Sequence, residues 1–313
     1  MADCDFYEIN RRAREDPAEF VAECDRLYAM HVEAAAVRLT DGVDSSRIVL
    51  LSGPSGSGKT TTAKLLRLRL ARHGVRSHVI SLDDYYRTVD LETHPRDEEG
   101  GIDFENPDLL DIPLLTAHFA ELAEGREILV PKFDFPNQCR DMSRAVPLRL
   151  GANEIAIFEG IHALNPILSG PIGDRARKLY VSARSNILKD GALFFKGTWV
   201  RLARRLIRDE KFRGTPATYT LTLWANVRRG EKRYISPFKN SADIIIDSFF
   251  PYEVCALRPH ALKVFETIPE NCPRREELSG IHERLEAFEG LSETHLAHDA
   301  LLREFIGGGS IEY

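Results

Sequence analysis

The amino-acid sequence predicts an α/β fold in which a mainly parallel sheet is flanked by helices. Short apolar runs, each long enough for one buried strand, alternate with longer stretches of helical periodicity, and this alternation is typical of βαβ units. The predicted core strands are 48–51, 75–80, 154–158, 179–182 and 241–246. A glycine-rich turn follows the first strand and leads directly into a predicted helix from Thr61 to Arg72. The turn therefore marks a strand-to-helix boundary.

The composition is that of a soluble globular protein. Of the 313 residues, 43% are hydrophobic and 29% are charged, and the net charge of −6 argues against general binding to nucleic acid. No apolar run approaches the length of a membrane span, and the N-terminus lacks the apolar core of a signal peptide. The five cysteines are scattered without metal-site spacing, so we expect reduced thiols and a cytoplasmic location.

The turn at residues 53–60, GPSGSGKT, has the pattern of a phosphate-binding loop, or P-loop. Its glycines let backbone N–H groups turn toward phosphate oxygens, and the start of the following helix adds partial positive charge. Lys59 can reach the β- and γ-phosphates, and the Thr60 hydroxyl can bind Mg²⁺. The sequence therefore predicts binding of a nucleoside triphosphate. The residues expected around its phosphates are Gly53, Ser55, Gly56, Ser57, Gly58, Lys59, Thr60 and Thr61.

The P-loop domain is predicted over 47–250, between two helical segments. In the N-terminal segment, 1–46, Asp16 and the proline after it look like the start of a helix, and apolar residues then recur at helical spacing. We predict one amphipathic helix over 17–39, packed on the P-loop domain or on a second subunit. The C-terminal segment, 251–313, is predicted to be mostly helical. Its candidate helices are 274–288 and 295–305.

A long polar excursion interrupts the P-loop domain. Loops of this length in a compact domain are usually functional or disordered, and we expect this one to serve the substrate. We predict an insertion over about 87–150 that contains a helix at 112–123 and a small antiparallel hairpin. The hairpin would pair a strand over 128–140 with one over 146–150.

Acidic residues follow two of the predicted strands. Asp83 and Asp84 come after the second strand, and the carboxyl ends of parallel strands meet at one edge of the sheet. We therefore expect this pair to lie on the same edge as the P-loop. A later buried strand ends in Glu159, which is the Walker B arrangement in which a carboxylate helps to hold Mg²⁺.

A basic stretch over about 199–216 is predicted to form a helical lid above the phosphates. Its arginines recur at spacings of three and four, so several fall on one helical face. Guanidinium groups match the geometry of phosphoryl oxygens, which favours a lid over a solvated basic face. The arginines of that face are Arg201, Arg204, Arg205 and Arg208.

These elements together favour a small-molecule kinase. Such an enzyme needs a base near the acceptor hydroxyl, a pocket for the acceptor and cations over the γ-phosphate. The acidic pair, an aromatic segment at 133–140 and the arginine helix can supply all three. The chain has neither the Asn-Lys-x-Asp motif of GTPases nor the LSGGQ-type signature of transporter ATPases.

The order and spacing of these motifs resemble the phosphoribulokinase/uridine kinase family of P-loop kinases, and most closely the bacterial uridine kinase-like nucleoside kinases. The resemblance extends over about residues 15–310. The matching segments are GPSGSGKTT (53–61), ISLDDYY (80–86), IDFENPDLLD (102–111), VPKFDFPNQCR (130–140), FEGIHALNP (158–166), RLARRLIRDEKFRG (201–214), WANVRRGEKRYISPF (224–238), SADIII (241–246) and LLREFIGG (301–308).

The resemblance implies an ATP- and Mg²⁺-dependent kinase that phosphorylates the 5′-hydroxyl of a nucleoside. It implies that Asp83 is the base that takes the hydroxyl proton, assisted by Lys59 and Arg208, and it associates Mg²⁺ with Thr60 and Glu159. The lid arginines that it brings toward ATP are Arg205, Arg208 and Arg213. The substrate-binding residues that it implies are Asp83, Tyr86, Glu105, Phe133, Phe135, Gln138 and Arg140. It also suggests a homo-oligomer.

The chain departs from the uridine kinase pattern at three positions. Gln138 stands where uridine kinases have a histidine of the base pocket, Phe133 where they have tyrosine, and Thr215 where they have a further lid arginine. The first two changes alter groups that would contact a pyrimidine ring. Two alternatives therefore remain open: a kinase for pantothenate, glycerate, a sugar phosphate or another polyol, and a non-kinase regulator that binds ATP.

Overall fold

The computed structural model describes residues 3–90, 92–98, 100–272 and 274–311, which form an α/β fold around a parallel sheet. The strands are β1 (Cys4–Asp5), β2 (Ile48–Ser52), β3 (Arg76–Ser81), β4 (Ile128–Asp134), β5 (Cys139–Leu148), β6 (Glu154–Glu159), β7 (Ala176–Ser182), β8 (Ile187–Lys189), β9 (Ala192–Phe195) and β10 (Ile244–Asp247). The central sheet has the order β10-β7-β2-β6-β3, with every neighbouring pair parallel. The predicted fold class is confirmed.

Helices cover both faces of the central sheet. They are α1 (Phe6–Glu15), α2 (Pro17–Asp41), α3 (Lys59–Arg72), α4 (Ile112–Ala123), α5 (Pro166–Ile172), α6 (Gly197–Phe212), α7 (Ala217–Gly230), α8 (Glu253–Glu266), α9 (Arg275–Glu286) and α10 (Arg303–Ile306). Along β2, Val49 and Leu51 belong to one apolar core, and Ile48 and Leu50 belong to the other. This alternation is what a strand buried on both faces requires. Within the described ranges, no helix is long and apolar enough to cross a membrane.

The N-terminal segment contains two helices where the sequence predicted one. Because proline has no N–H and is favoured at the first helical position, α2 starts at Pro17 and the preceding turns form the separate helix α1. α2 packs along α3, and the hydroxyls of Tyr28 and Thr62 are 2.7 Å apart. The long helix thus lies on the P-loop domain of its own chain.

The hairpin of β4 and β5 is present, but its second strand starts earlier than predicted. The chain turns back at residues 135–138, where Gln138 has a left-handed φ of 51°, and β5 starts at Cys139 instead of about Val146. The aromatic run had suggested one continuous strand through Arg140. A second hairpin, β8 and β9, was not predicted, and it pairs with β1 at the N-terminus.

The predicted helix over 295–305 is wrong for most of its length. Only α10 and a short 3₁₀ turn, Glu293–His295, are helical there. The Arg303 guanidinium donates to the backbone carbonyls of Glu293 and Leu296, so an irregular loop folds around this side chain. Helix α7 lies in a stretch for which no element was predicted, and α8 lies in the C-terminal segment that was predicted to be mostly helical.

Candidate active site

The P-loop connects β2 to α3 in a backbone conformation that requires glycine. Gly56 and Gly58 have φ values of 73° and 81°, in the left-handed region that other residues rarely adopt. At Gly53, a side-chain Cβ would lie 2.0 Å from the carbonyl oxygen of Val181. The Lys59 ammonium donates to the Pro54 carbonyl at 3.3 Å, so this side chain lies back across the loop.

Two arginines of the predicted lid face are buried against the outside of the P-loop. Arg201 donates to the Ser55 carbonyl at 3.1 Å and pairs with Glu231 at 2.8 Å. Arg204 donates to the Gly56 carbonyl at 3.1 Å and pairs with Glu253. The prediction that all four arginines of this face cover the phosphoryl group is therefore wrong for Arg201 and Arg204. Both are engaged by the loop backbone and by carboxylates that the sequence pattern did not reveal.

The other predicted lid arginines gather around one aspartate. Asp209 accepts hydrogen bonds from Arg205 at 3.2 Å and from Arg208 at 2.7 Å, and Arg213 lies 3.8 Å away. Arg205 also donates to the Ser55 hydroxyl at 3.0 Å, which brings its guanidinium to the P-loop. The guanidinium groups of all three arginines therefore share one carboxylate.

Charged groups converge at the carboxyl edge of the sheet. Loss of water lowers the pKa of Lys59, and the nearby carboxylates of Glu159, Asp83 and Glu304 oppose that shift. Asp83 follows β3 and opens into a cleft whose walls displace bulk water, which raises its pKa, while Lys59 acts in the opposite direction. The Asp83 carboxylate therefore lies within electrostatic reach of the P-loop lysine.

A cleft of about 290 Å³ extends from the P-loop toward the hairpin. Six of the seven predicted substrate-binding residues line it: Asp83, Tyr86, Glu105, Phe133, Phe135 and Gln138. The Phe133 ring packs edge-on against both Tyr86 and Phe135, so the aromatic wall is continuous. The cleft thus joins an aromatic wall to a carboxylate near the P-loop.

Several residues of the cleft were not predicted from the sequence. Ser55 was expected only as a phosphate-binding residue. The others are Arg87, Val89, His94, Phe104, Leu109 and Ile161. Phe104 lies in the segment IDFENPD, so its place in that motif could have indicated it. For His94 there was no signal, since it lies in a polar loop whose path depends on long-range contacts.

Two predicted site residues have protein partners outside the cleft. The Arg140 guanidinium pairs with Asp111 at 2.7 Å and donates to the carbonyls of Tyr85 and Tyr86. It is not among the residues that line the cleft, and its contacts hold in place the segment that carries Asp83 and Tyr86. Thr61 is buried and donates a hydrogen bond to the carboxylate of Glu304.

The residues near the P-loop fit a magnesium ion that arrives with a nucleotide. Glu159 is only 8% exposed, and burial raises its pKa to about 7, so a divalent cation beside it would favour the ionised form. The Thr60 hydroxyl donates to this carboxylate at 3.3 Å. Within the described ranges, no group of three or more metal-ligating side chains is arranged to hold a metal alone. Mg²⁺ usually takes its other ligands from water and phosphate.

The carboxyl of Glu105 should make the stability of the free protein depend on pH. Loss of water raises its pKa from 4.5 to about 7, so between these values the folded state keeps a proton that the unfolded chain releases. We expect the free energy of unfolding, relative to a Glu105→Gln variant, to fall by ~1–3 kcal/mol as pH rises through this window. Urea denaturation at about pH 5 and about pH 8 would measure it.

The matched control for this measurement is Glu127→Gln, at an exposed glutamate of the same insertion. That variant should follow the pH dependence of the wild type. A difference between wild type and Glu105→Gln that stays constant over the pH range would show that Glu105 is ionised in the folded protein throughout.

Proteins of similar sequence are kinases, in agreement with the arrangement of this site. A sequence model of the phosphoribulokinase/uridine kinase family matches residues 48–167. The chain is 30% identical over 201 residues to a uridine kinase of Brevibacillus brevis, a match that covers 64% of this chain and 83% of the relative. It is 28% identical over 205 residues to a uridine kinase of Staphylococcus epidermidis, covering 65% and 88% of the two chains.

A solved structure described as a possible uridine kinase from Bacillus stearothermophilus aligns with 70% of this chain and 98% of its own, at 17% identity and a TM-score of 0.46. The fold class of this chain is shown by the strand order described above and by the sequence relatives. The P-loop, the acidic residue at the tip of β3 and the match to these relatives lead to one assignment. The chain belongs to the phosphoribulokinase/uridine kinase family, and it is a P-loop phosphotransferase that acts on a hydroxyl group.

Proposed function

We propose that the protein transfers the γ-phosphate of ATP, bound with Mg²⁺, to the 5′-hydroxyl of a nucleoside. The observation that carries this proposal is the position of Asp83, which lines the cleft and is electrostatically coupled to Lys59 of the P-loop. An alcohol between the two groups could give its proton to the carboxylate while its oxygen attacks the γ-phosphorus.

The remaining polar groups near the P-loop suit stabilisation of the transferring phosphoryl group. Lys59 and the N-terminus of α3 would bind the phosphates, and Arg205, Arg208 and Arg213 would turn from Asp209 toward the developing charge. Thr60 and Glu159 would hold Mg²⁺ directly or through water. The ion would neutralise charge on the β- and γ-phosphates.

The far part of the cleft supports a nucleoside as the acceptor. The rings of Phe133 and Phe135 offer apolar faces and edges against which a base could pack, and Gln138 could hydrogen-bond to the edge of that base. Glu105 also lines the cleft, and its carboxylate could accept hydrogen bonds from the two hydroxyls of a ribose. Uridine, the substrate named for the relatives, is the first candidate.

A product screen tests the proposal. Purified enzyme with MgATP is incubated with single nucleosides, and in parallel with pantothenate, glycerate and simple polyols, and mass spectrometry identifies any compound that gains a phosphoryl group. We expect a nucleoside 5′-monophosphate. Lys59→Ala is the control, and it should weaken ATP binding by about tenfold or more and remove the product, because the ammonium pairs with the phosphates. If a polyol is phosphorylated and no nucleotide is formed, the acceptor is that polyol and not a nucleoside.

A further inference from the structure

One carboxylate close to the P-loop has no part in the proposed chemistry. Glu304 lies in α10, in the C-terminal segment, and accepts a hydrogen bond from the hydroxyl of Thr61. Burial raises the pKa of Glu159 to about 7, and the carboxylates of Asp83 and Glu304 add to that rise. Burial also lowers the pKa of Lys59, and Glu304 is among the carboxylates that oppose this shift. Its charge therefore acts on the P-loop lysine and on the carboxylate expected to hold Mg²⁺.

The segment that carries Glu304 packs against both the P-loop and α6. Leu301 lies so close to the loop that a Cβ added at Gly58 would be 2.7 Å from its Cδ1. The ring of Phe305 is fully buried, and the Arg204 guanidinium of α6 lies over it, 5.1 Å from the ring centroid. Packing on both sides of Glu304 therefore holds its backbone beside the P-loop.

Thr61 lies where the P-loop passes into α3, at a place that suits an anion. It is the third residue of the helix, and the first turn of a helix attracts negative charge. The sequence predicted that Thr61 is one of the residues around the phosphates. In the structure Thr61 is fully buried, and its hydroxyl donates to the Glu304 carboxylate. A phosphate oxygen can reach this hydroxyl only if Glu304 turns away.

We propose that Glu304 is a residue of the nucleotide site, whose carboxylate competes with phosphate at Thr61 and so weakens the binding of ATP and ADP. The inference rests on the proposed use of ATP at the P-loop. Like charges repel strongly where protein displaces water. A nucleotide must therefore either place its phosphates beside this carboxylate or displace it, and both lower its affinity. Weaker binding of ADP favours release of the product, a step that limits the rate of many enzymes.

Replacing Glu304 by glutamine removes the charge and keeps the hydrogen bond, because the amide oxygen can still accept from Thr61. We expect the Kd of MgATP and the Kd of MgADP, measured by isothermal titration calorimetry, each to fall about tenfold relative to the wild type. Inorganic tripolyphosphate, which has no nucleoside, should also bind Glu304→Gln more tightly. The matched control is Glu270→Gln, which removes the same charge from an exposed position of the C-terminal segment and should leave these Kd values unchanged.

A second variant, Glu304→Ala, removes both the charge and the hydrogen bond and should also bind MgATP more tightly than the wild type. Melting temperatures show that each variant is folded. Equal Kd values for the wild type and Glu304→Gln overturn the inference. Weaker nucleotide binding by Glu304→Gln also overturns it, since that is what a purely structural role in holding Thr61 predicts.

The anion without a nucleoside distinguishes the two ends of the ligand. If Glu304→Gln binds nucleotides more tightly but not tripolyphosphate, the carboxylate acts at the nucleoside end, and the proposed competition with phosphate is overturned. The proposed function is overturned separately, and the inference with it, if neither the wild type nor Glu304→Gln binds MgATP or MgADP.

Discussion

Replacing Asp83 by asparagine is expected to lower kcat about 100-fold or more while ATP binds nearly as tightly as before. The amide keeps the size of the side chain but cannot take the proton of the acceptor hydroxyl. The loss should fall on the chemical step, so the KM for the nucleoside should change far less than kcat. Steady-state kinetics and calorimetric titration of ATP would measure the two effects separately.

The adjacent aspartate offers a matched control for this substitution. Asp84 accepts hydrogen bonds from the Lys132 ammonium at 2.6 Å and from the Phe133 N–H at 3.4 Å, so it attaches the 3₁₀ turn after β3 to the hairpin. Asp84→Asn should loosen the aromatic wall and raise the KM for the acceptor, with kcat within a few-fold of the wild type. Near-normal turnover by Asp83→Asn would exclude Asp83 as the base.

The features that the sequence predicted well depend on local rules. The P-loop could be recognised from its pattern of glycines, lysine and threonine between a strand and a helix, and Gly56 and Gly58 have the left-handed φ values that glycine favours. The position of Asp83 near that loop followed from the rule that parallel strands end at one edge, and in the structure the two are electrostatically coupled. The catalytic role of Asp83 stays a prediction until the variant is measured.

The features that the sequence did not predict depend on partners far away along the chain. Arg201 and Arg208 lie on the same helical face in the sequence pattern. In the structure, Arg201 binds the carboxylate of Glu231, 30 residues further along the chain, whereas Arg208 binds Asp209. Periodicity shows which side chains share a face and does not show what faces them. Glu304 is a similar case, because only the fold brings this carboxylate to the first turn of α3.

Breaking the fully buried ion pair between Arg204 and Glu253 is expected to lower the free energy of unfolding strongly. Neither side chain is exposed, and Arg204 also donates to the carbonyls of Gly56 and Ser248. Arg204→Met should destabilise the fold by about 3–5 kcal/mol, because it leaves a carboxylate without its partner in the interior. Urea denaturation measures this loss. The exposed pair of Arg26 and Glu19 is the control, and Arg26→Met should have little effect.

The pH dependence of that loss separates an unpaired charge from lost packing. Burial already raises the pKa of Glu253, and the Arg204 guanidinium opposes the shift. Without the arginine, the folded state should hold a proton on Glu253 that the unfolded chain releases, so the deficit of Arg204→Met should grow as pH rises. Adding Glu253→Gln should remove this dependence and recover part of the stability. A deficit that is equal at low and high pH would mean that the loss comes from packing and from the unpaired carbonyl of Gly56.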